Sequence, residues 1–393
     1  VSNPAFTWWR APGLLSRLLA DAVRGQFLSD HPGLDVPVPP WPDSFDFVDD
    51  LGADSLDRLA LATAVSVHLQ INRSGLDDAL LARRRLGDWR DVAAQALTLY
   101  SDSFHVRSSG SQGAPRWHAH RLDVLVAEVE AVLALLPPGR GRIVSLVPAH
   151  HIYGFLFTIL LPARLGCSVW EARAASPVSV AGRLMPGDVI VAHPHWWRLL
   201  AESGVPLPPA VGLTATAPCP PAVAQALRGA GLAELIEIYG ASETAGIGWR
   251  PAGAGPFQLL PAWQPGEDGQ LVAADGRRVD LPDHLAWQEN GRFEVLGRKD
   301  GQVQVGGVNV DLAEVRRTIL AVAGVRDVAL RLAASGRLKA FIASDAPPVD
   351  LRPALQAAVS ATLPPPARPA SWTFGPALPL TPAGKPSDWQ EGA

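Results

Sequence analysis

The chain has 393 residues, with 34 basic and 38 acidic side chains for a formal charge of -4, and 48% of it is hydrophobic. That length suits two or three domains, and that apolar content builds real cores and argues against wholesale disorder. The near-neutral balance argues against a nucleic-acid binder, which would live on phosphate contacts. No apolar run reaches about 18 residues, so no membrane span is predicted. Residues 1–10 lack the charged-then-apolar layout of a signal peptide, and a soluble cytoplasmic protein is expected. Cys167 and Cys219 lack metal-ligand spacing and are too few for a disulfide framework. Only three lysines, Lys299, Lys339 and Lys385, stand in an arginine-biased chain, and Lys339 is expected on the surface.

Taken in chain order, residues 13–28 carry apolar side chains at helical spacing. A proline-rich stretch, 32–42, cannot be regular helix. Helical patterns come next over 56–69 and 88–97, so residues 1–100 read as a small helical unit with one long loop. After Tyr100 the pattern changes. Strand-like runs at 143–147, 189–192 and 235–239 alternate with helical runs at 122–136, 152–165, 195–202 and 221–229. That alternation predicts a parallel sheet flanked by helices. Residues 252–297 suggest a small β-structure. From Lys299 onward the order is strand, helix (312–322), two strands (328–332, 338–343), helix (351–363) and strand. The predicted class is α/β: a helical unit at 1–100, a parallel-sheet α/β core at 101–298 and a small α+β domain at 299–393.

Several motifs carry chemistry. A short strand, 104–107, enters Ser108-Ser109-Gly110-Ser111-Gln112-Gly113-Ala114-Pro115-Arg116. Its glycines permit tight turns, and its hydroxyls sit beside backbone N–H groups able to wrap a polyphosphate. It is no P-loop of the NTPase type, because no Gly-Lys-Ser/Thr ends it. In Tyr239-Gly240-Ala241-Ser242-Glu243 the phenol ring can stack on a base and Ser242 can bond phosphate. Glu243 is a hard oxygen ligand suited to Mg²⁺. Asp283 can accept from both hydroxyls of a ribose diol. Then come Gly297-Arg298-Lys299-Asp300-Gly301 and, near the end, Gly384-Lys385. Taken singly, each of these is an ordinary turn, loop carboxylate or tail lysine.

Together they fall in the order of the adenylate-forming superfamily of acyl-CoA synthetases, luciferases and peptide-synthetase adenylation domains, which the chain resembles over 104–390. The 150–166 and 239–250 segments are similar to small aryl-acid:carrier-protein ligases of aryl-polyene pathways. The resemblance implies an AMP-forming acid–thiol ligase using ATP and Mg²⁺. It implies that Ser108, Ser109, Gly110, Ser111, Gln112, Gly113 and Arg116 hold the ATP phosphates. Tyr239 and Gly240 then lie at adenine, Ser242 at phosphate, and Glu243 binds Mg²⁺. Asp283 binds the ribose hydroxyls with Arg298 close by at the nucleotide, and Asp300 is the hinge of a rotating C-terminal domain. His151 sits between the acyl pocket and the phosphates, and Lys385 bridges the carboxylate and α-phosphate oxygens. Lysine suits that last place, being a compact charge on a flexible stem. The chain departs from the family pattern at Gln112, Arg116 and Gln304, and most of the family's N-terminal subdomain is missing, leaving a truncated adenylation core.

The front unit contains Phe47-Val48-Asp49-Asp50-Leu51-Gly52-Ala53-Asp54-Ser55-Leu56-Asp57. This resembles the acyl carrier protein motif, which implies 4′-phosphopantetheine on Ser55. The same residues are also good capping chemistry for a helix. The helix after Ser55 carries no carboxylate beyond Asp57, so it is expected to pack against something. The expected activity is ATP-dependent activation of a small carboxylic acid, expected aromatic, as acyl-AMP. Transfer then goes to the phosphopantetheine thiol of a carrier, on Ser55 first and on a separate acyl carrier protein otherwise. The alternatives are an acyl-CoA or fatty-acyl ligase, with CoA as the acceptor, and a non-catalytic partner that binds nucleotide or a carrier.

Overall fold

The computed structural model describes residues 6–107, 116–137, 141–266, 270–273, 276–281, 283–298, 302–333, 335–379 and 389. These fall into two compact units, one within 6–107, 116–280 and 287–294, the other within 281–286 and 295–389.

The first unit opens with four helices: α1 (Leu14–Asp30), α2 (Ser55–Leu69), α3 (Asp77–Leu81) and α4 (Leu86–Leu99). Helix α2 begins where the sequence places it. Asp54 accepts from the Leu56 and Asp57 amides at 2.8 and 2.9 Å, and Asp57 accepts from the Asp54 amide at 3.0 Å. This capping box satisfies the donors that a helix start leaves open. The apolar face of α2 is packed, as its composition requires. Leu61, Ala62, Ala64, Val65 and Leu69 are buried, and His68 Nδ1 reaches the His105 carbonyl at 2.7 Å. The front helices and the central sheet therefore belong to one compact unit.

The hairpin β1 (Ser103–Arg107) and β2 (Trp117–Arg121) pairs antiparallel and leads into α5 (Leu122–Leu133). Then strands and helices alternate: β3 (Ile143–Ser145), α6 (Ile152–Phe155), α7 (Leu161–Leu165), β4 (Val169–Glu171), α8 (Pro177–Ala181), β5 (Val189–Ala192), α9 (Pro194–Ser203), β6 (Val211–Thr214), α10 (Pro221–Gly229) and β7 (Glu234–Ala241). Strands β7, β6, β5, β3 and β4 lie parallel in that order. Strands β3, β5 and β6 are buried along their whole length. That is why they read as short continuous apolar runs rather than alternating ones. The sheet continues antiparallel through β8 (Ala245–Pro251), β9 (Phe257–Leu259) and the start of β14 (Arg292–Arg298). A small antiparallel sheet sits apart from it, made of β10 (Trp263–Pro265), β11 (Leu271–Ala273) and β12 (Arg278–Val279). β13 (Asp283–Trp287) stands ahead of β14 in the chain.

The run predicted as one helix over 152–165 is α6 and α7 joined by a π turn, Leu156–Leu160. Pro162 has no N–H to give the Thr158 carbonyl four residues back. Arg17 Nη1 of α1 donates to that carbonyl instead, at 3.2 Å.

The second unit holds the hairpin β15 (Val303–Val305) and β16 (Val308–Val310), then α11 (Leu312–Leu320), β17 (Asp327–Leu332), β18 (Leu338–Ala343), α12 (Pro348–Thr362) and β19 (Ser371–Gly375). Strands β17, β18 and β19 form one sheet, antiparallel then parallel. The helices cover it over a core of Val315, Ile319, Leu338, Ala340, Ile342, Leu355 and Trp372. The predicted helices and strands of this segment are all present, except that the single strand expected before the first helix is a hairpin of two, β15 and β16.

Lys339 corrects an expectation. It is 6% exposed, not a surface residue. Its ammonium donates to the Trp389 carbonyl at 2.7 Å and lies 5.0 Å from the Trp389 ring centroid, which also packs on Phe341. A lone lysine in a strand gives no sign of such a partner when the partner is 50 residues away.

Candidate active site

In an open parallel sheet, ligands bind beyond the carboxyl ends of the strands. Here those ends deliver Pro148–His151 after β3, His193 after β5, Ala215–Ala217 after β6 and Tyr239–Glu243 from β7. Thr216 has φ +79°, rare for a β-branched residue and a mark of local strain at this edge.

His151 caps the start of α6, and the Phe155 amide donates to its carbonyl at 2.8 Å. Its ring lies 4.1 Å from that of His150. His151 is exposed, although neighbouring protein atoms still take water from its ring. That desolvation lowers its pKa, opposed by Asp21 and aided by Arg173. The imidazole is therefore neutral near pH 7, offering one donor and one acceptor. The turn before it is tight: a Cβ on Gly154 would lie 1.8 Å from the Pro148 carbonyl oxygen. The Tyr153 hydroxyl donates to the Ala192 carbonyl at 3.2 Å and ties α6 to the end of β5.

The acidic motif forms the turn of the β7–β8 hairpin. Ser242 and Glu243 are half-buried there. Thr244 Oγ1 accepts from the Ala241 amide at 3.1 Å and donates to the Ala245 carbonyl at 3.0 Å. His120 Nε2 of β2 donates to the Ser242 carbonyl at 2.7 Å. Burial lowers the His120 pKa, so the bond is made by the neutral ring. Both oxygens of Glu128, on α5, accept from the Gly246 amide at 3.0 Å, and Trp263 Nε1 donates to the Gly246 carbonyl at 2.8 Å. Burial pushes the Glu128 carboxyl up to about 8. The strand and helix just past the Gly/Ser loop thus clip the acidic turn at two points. Tyr239 is half-buried, its ring 5.6 Å from both Phe257 and Phe293.

The other expected site residues are scattered along the chain. Arg116 stands exposed just before β2, Asp283 opens β13, and Arg298 ends β14. Ser108, Ser109, Gly110, Ser111, Gln112, Gly113, Asp300 and Lys385 lie outside the described residues, as does the side chain of Arg298. Ser55 is the exposed first residue of α2, and its neighbour Asp54, not Ser55, caps the helix.

Sequence reasoning missed Arg17, Asp21, His120, Glu128 and Arg173. Each is a charged or polar residue buried by contacts more than 100 residues away in the chain. No local pattern marks such residues.

Comparison with known proteins decides the family. A model of the AMP-binding enzymes matches residues 104–275. The 4-coumarate–CoA ligase of Rhodobacter capsulatus is 40% identical over 350 residues, covering 86% of this chain and 90% of that protein. The chain is an AMP-binding enzyme. This AMP-binding enzyme is likewise 39% identical to the 4-coumarate–CoA ligase of Cereibacter sphaeroides, over 87% of this chain and 84% of that one. Membership makes it an AMP-forming acid–thiol ligase. Those alignments are too long to fit after residue 104, so they reach well into the front helices. A segment of the phosphinothricin tripeptide synthetase PhsB of Streptomyces viridochromogenes is 27% identical over 64% of the chain. Among solved structures, the amide bond synthetase McbA of Marinactinospora thermotolerans superposes with a TM-score of 0.56 at 18% identity, covering 95% of this chain and 92% of that one. The o-succinylbenzoate CoA synthetase of Bacillus subtilis gives 0.53 at 17%, covering 73% and 69%. These two likenesses establish the adenylate-forming fold.

Proposed function

We propose that the enzyme activates an aryl carboxylic acid with ATP and passes the acyl group to the thiol of CoA. The observation that carries this reading is the 40% identity to a 4-coumarate–CoA ligase over 90% of that relative's length. The carboxyl edge of the sheet suits it, with a neutral imidazole at one strand end and the Ser242–Glu243 turn at another.

In the first step an acid oxygen attacks the α-phosphorus, forming the acyl–phosphate bond as pyrophosphate leaves. In the second, the thiol attacks the acyl carbon, forming the thioester as AMP leaves. The loop Ser108–Gly113 with Arg116 holds the phosphates, Tyr239 and Gly240 lie against adenine, and Ser242 bonds phosphate. Asp283 and Arg298 hold the ribose. Glu243, a hard, half-buried carboxylate, would hold Mg²⁺, which would supply positive charge to the phosphates. Lys385 places its ammonium between acid and α-phosphate, where two anions must meet. Asp300 is the hinge about which residues 299–393 rotate to replace Lys385 with the thiol. His151 supplies a ring N–H at the acid without adding positive charge.

A second reading makes the front unit a carrier: Ser55 stands exposed at a helix start beside an acidic stretch and bears the phosphopantetheine arm. The reach of the ligase alignments into the front helices favours CoA, with residues 1–100 serving as a wall of the ligase.

The test is pyrophosphate release with a panel of aryl and alkyl acids, run with and without CoA. Release with aryl acids and a CoA thioester by mass are expected; no release with any acid would sink the reading. Intact mass after treatment with a phosphopantetheinyl transferase checks Ser55. An unchanged mass is expected, and an added arm would restore the carrier reading.

A further inference from the structure

One face of α1 is built against the turn that leads to His151. Arg17, Asp21 and Gly25 recur every four residues, which aligns them in one stripe along the helix. Arg17 is 7% exposed and Asp21 1%, unusual for charges unless something holds them. Arg17 Nη2 donates to Ser145 Oγ at 2.5 Å and to the Val147 carbonyl at 3.4 Å. Asp21 Oδ2 accepts from the Ala149 amide at 2.7 Å. Gly25 faces His150: a Cβ there would lie 2.6 Å from Nε2 of that ring. The stripe therefore tracks the chain residue by residue from the end of β3 to His150.

The charges are closed into a network. Arg17 pairs with Glu171 at 2.9 Å, and Glu171 with Arg173 at 2.7 Å. Arg173 returns to Asp21 at 2.5 Å. A buried ion network of this kind is weak evidence of stability, because desolvation offsets attraction. What it does supply is geometry. A carbonyl and an amide on either side of Pro148 are held by buried, ion-paired partners, and the His151 ring packs on the ring beside them.

We propose that Arg17, Asp21 and Gly25 are positioning residues for the acid site, acting through the Val147–His150 turn on His151. This rests on the reading of His151 as an acid-site residue. It assigns the front helix a part in acid binding: it fixes the turn that carries His151.

The experiment measures KM for acid and for ATP separately, by pyrophosphate release, with 4-coumarate as probe acid and benzoate where that gives no turnover. Gly25→Ala is the gentlest variant. Alanine is the better helix residue, and the clash falls on the far end of the His150 ring, so the fold survives. Its acid KM should rise about tenfold while ATP KM stays within about twofold, a split that a loss of folded protein would not produce. Asp21→Ala should do the same, with Asp21→Asn, which keeps an acceptor for the Ala149 amide, recovering part of the loss. Combining Gly25→Ala with His150→Ser should relieve the clash, so the double variant should bind acid better than Gly25→Ala alone.

Wild-type acid KM in both Gly25→Ala and Asp21→Ala, with normal melting curves, overturns the inference. His151→Ala separates it from the reading beneath. If that variant leaves acid KM unchanged while Gly25→Ala raises it, α1 still sets the acid site and the role of His151 falls. If His151→Ala raises acid KM and Gly25→Ala does not, His151 stands and the stripe is merely structural.

Discussion

Two lysines of this chain gain opposite meanings. Lys339 sits under Trp389 and fastens the end of the chain to β18. Lys385 stands four residues before Trp389, in an arginine-biased chain where it would be the charge between acid and α-phosphate. An ammonium is a point charge on a flexible stem, while a guanidinium is a planar fork. Lys385→Arg is therefore expected to lower adenylation by about a hundredfold or more, in the range of losing one transition-state charge contact, with an unchanged melting curve. Near-normal pyrophosphate release would remove Lys385 from the chemistry. His120 offers a second test at this scale. His120→Phe deletes the donor to the Ser242 carbonyl, and should raise KM for ATP several-fold with little change in KM for acid. His120→Asn, which restores a donor, should recover part of it. Equal ATP KM in all three proteins would show that the Ser242 carbonyl needs no such partner. The candidate site residues could be named from the sequence because their motifs are local and ordered. The residues that hold them could not, because a histidine on a strand or an aspartate on a helix looks the same buried or exposed.

Among elements, the hairpin β7–β8 and the turn before α6 are each held by partners from distant parts of the chain. The hairpin turn is clipped by β2 through His120 and by α5 through Glu128. The turn before α6 is clipped by α1 through Arg17 and Asp21. Most helices and strands were readable from period and punctuation: α10 matches its predicted span, and α1, α2 and α9 differ by one or two residues at their ends. Strand β6 went unread, though it lies in the middle of the sheet. Its four residues, Val211–Thr214, include a glycine and come soon after two prolines, so nothing in them reads as a strand until β5 and β7 flank them. The π turn in 156–160 was likewise invisible, since helical period alone does not show which carbonyl Pro162 leaves without its amide.

For the whole molecule, the buried titratable groups predict how stability varies with pH. Glu128 has its pKa raised by burial from 4.5 to about 8. Between those values the unfolded chain has lost the proton and the folded one keeps it, so stability falls as pH rises. His68 has its pKa lowered by burial from 6.5 to about 4. Between those values the unfolded chain binds a proton that the folded one refuses, so stability falls as pH drops. His105, His120, His150, His151 and His193 are lowered too, each chiefly by burial. The buried histidines lower stability on the acid side, and Glu128, joined by His31, Cys167 and Cys219 with raised values, lowers it as pH rises, which places maximum stability near neutral pH. Glu128→Gln should flatten the alkaline limb, whose slope is at most about 1.4 kcal/mol per pH unit for one group. Denaturant midpoints from pH 5 to 9 would check this; an unchanged alkaline limb would mean that Glu128 is ionised in the native state.

The sequence by itself determined the class of the fold, the order of the motifs and the residue types of the chemistry. These are local properties: hydrophobic period sets helix or strand, and a glycine-rich or acidic turn carries its donors within a few residues. Only the tertiary structure decided what the front of the chain packs against. Read alone, residues 43–57 resemble a carrier motif and equally a helix cap, and neither pattern names a partner for α1. Folded, α1 puts two charges into a network that reaches Ser145, Ala149, Glu171 and Arg173, all more than 120 residues away. Burying those charges is tolerable only where partners from distant elements converge, and that convergence is a property of the packed sheet, which no stretch of sequence contains.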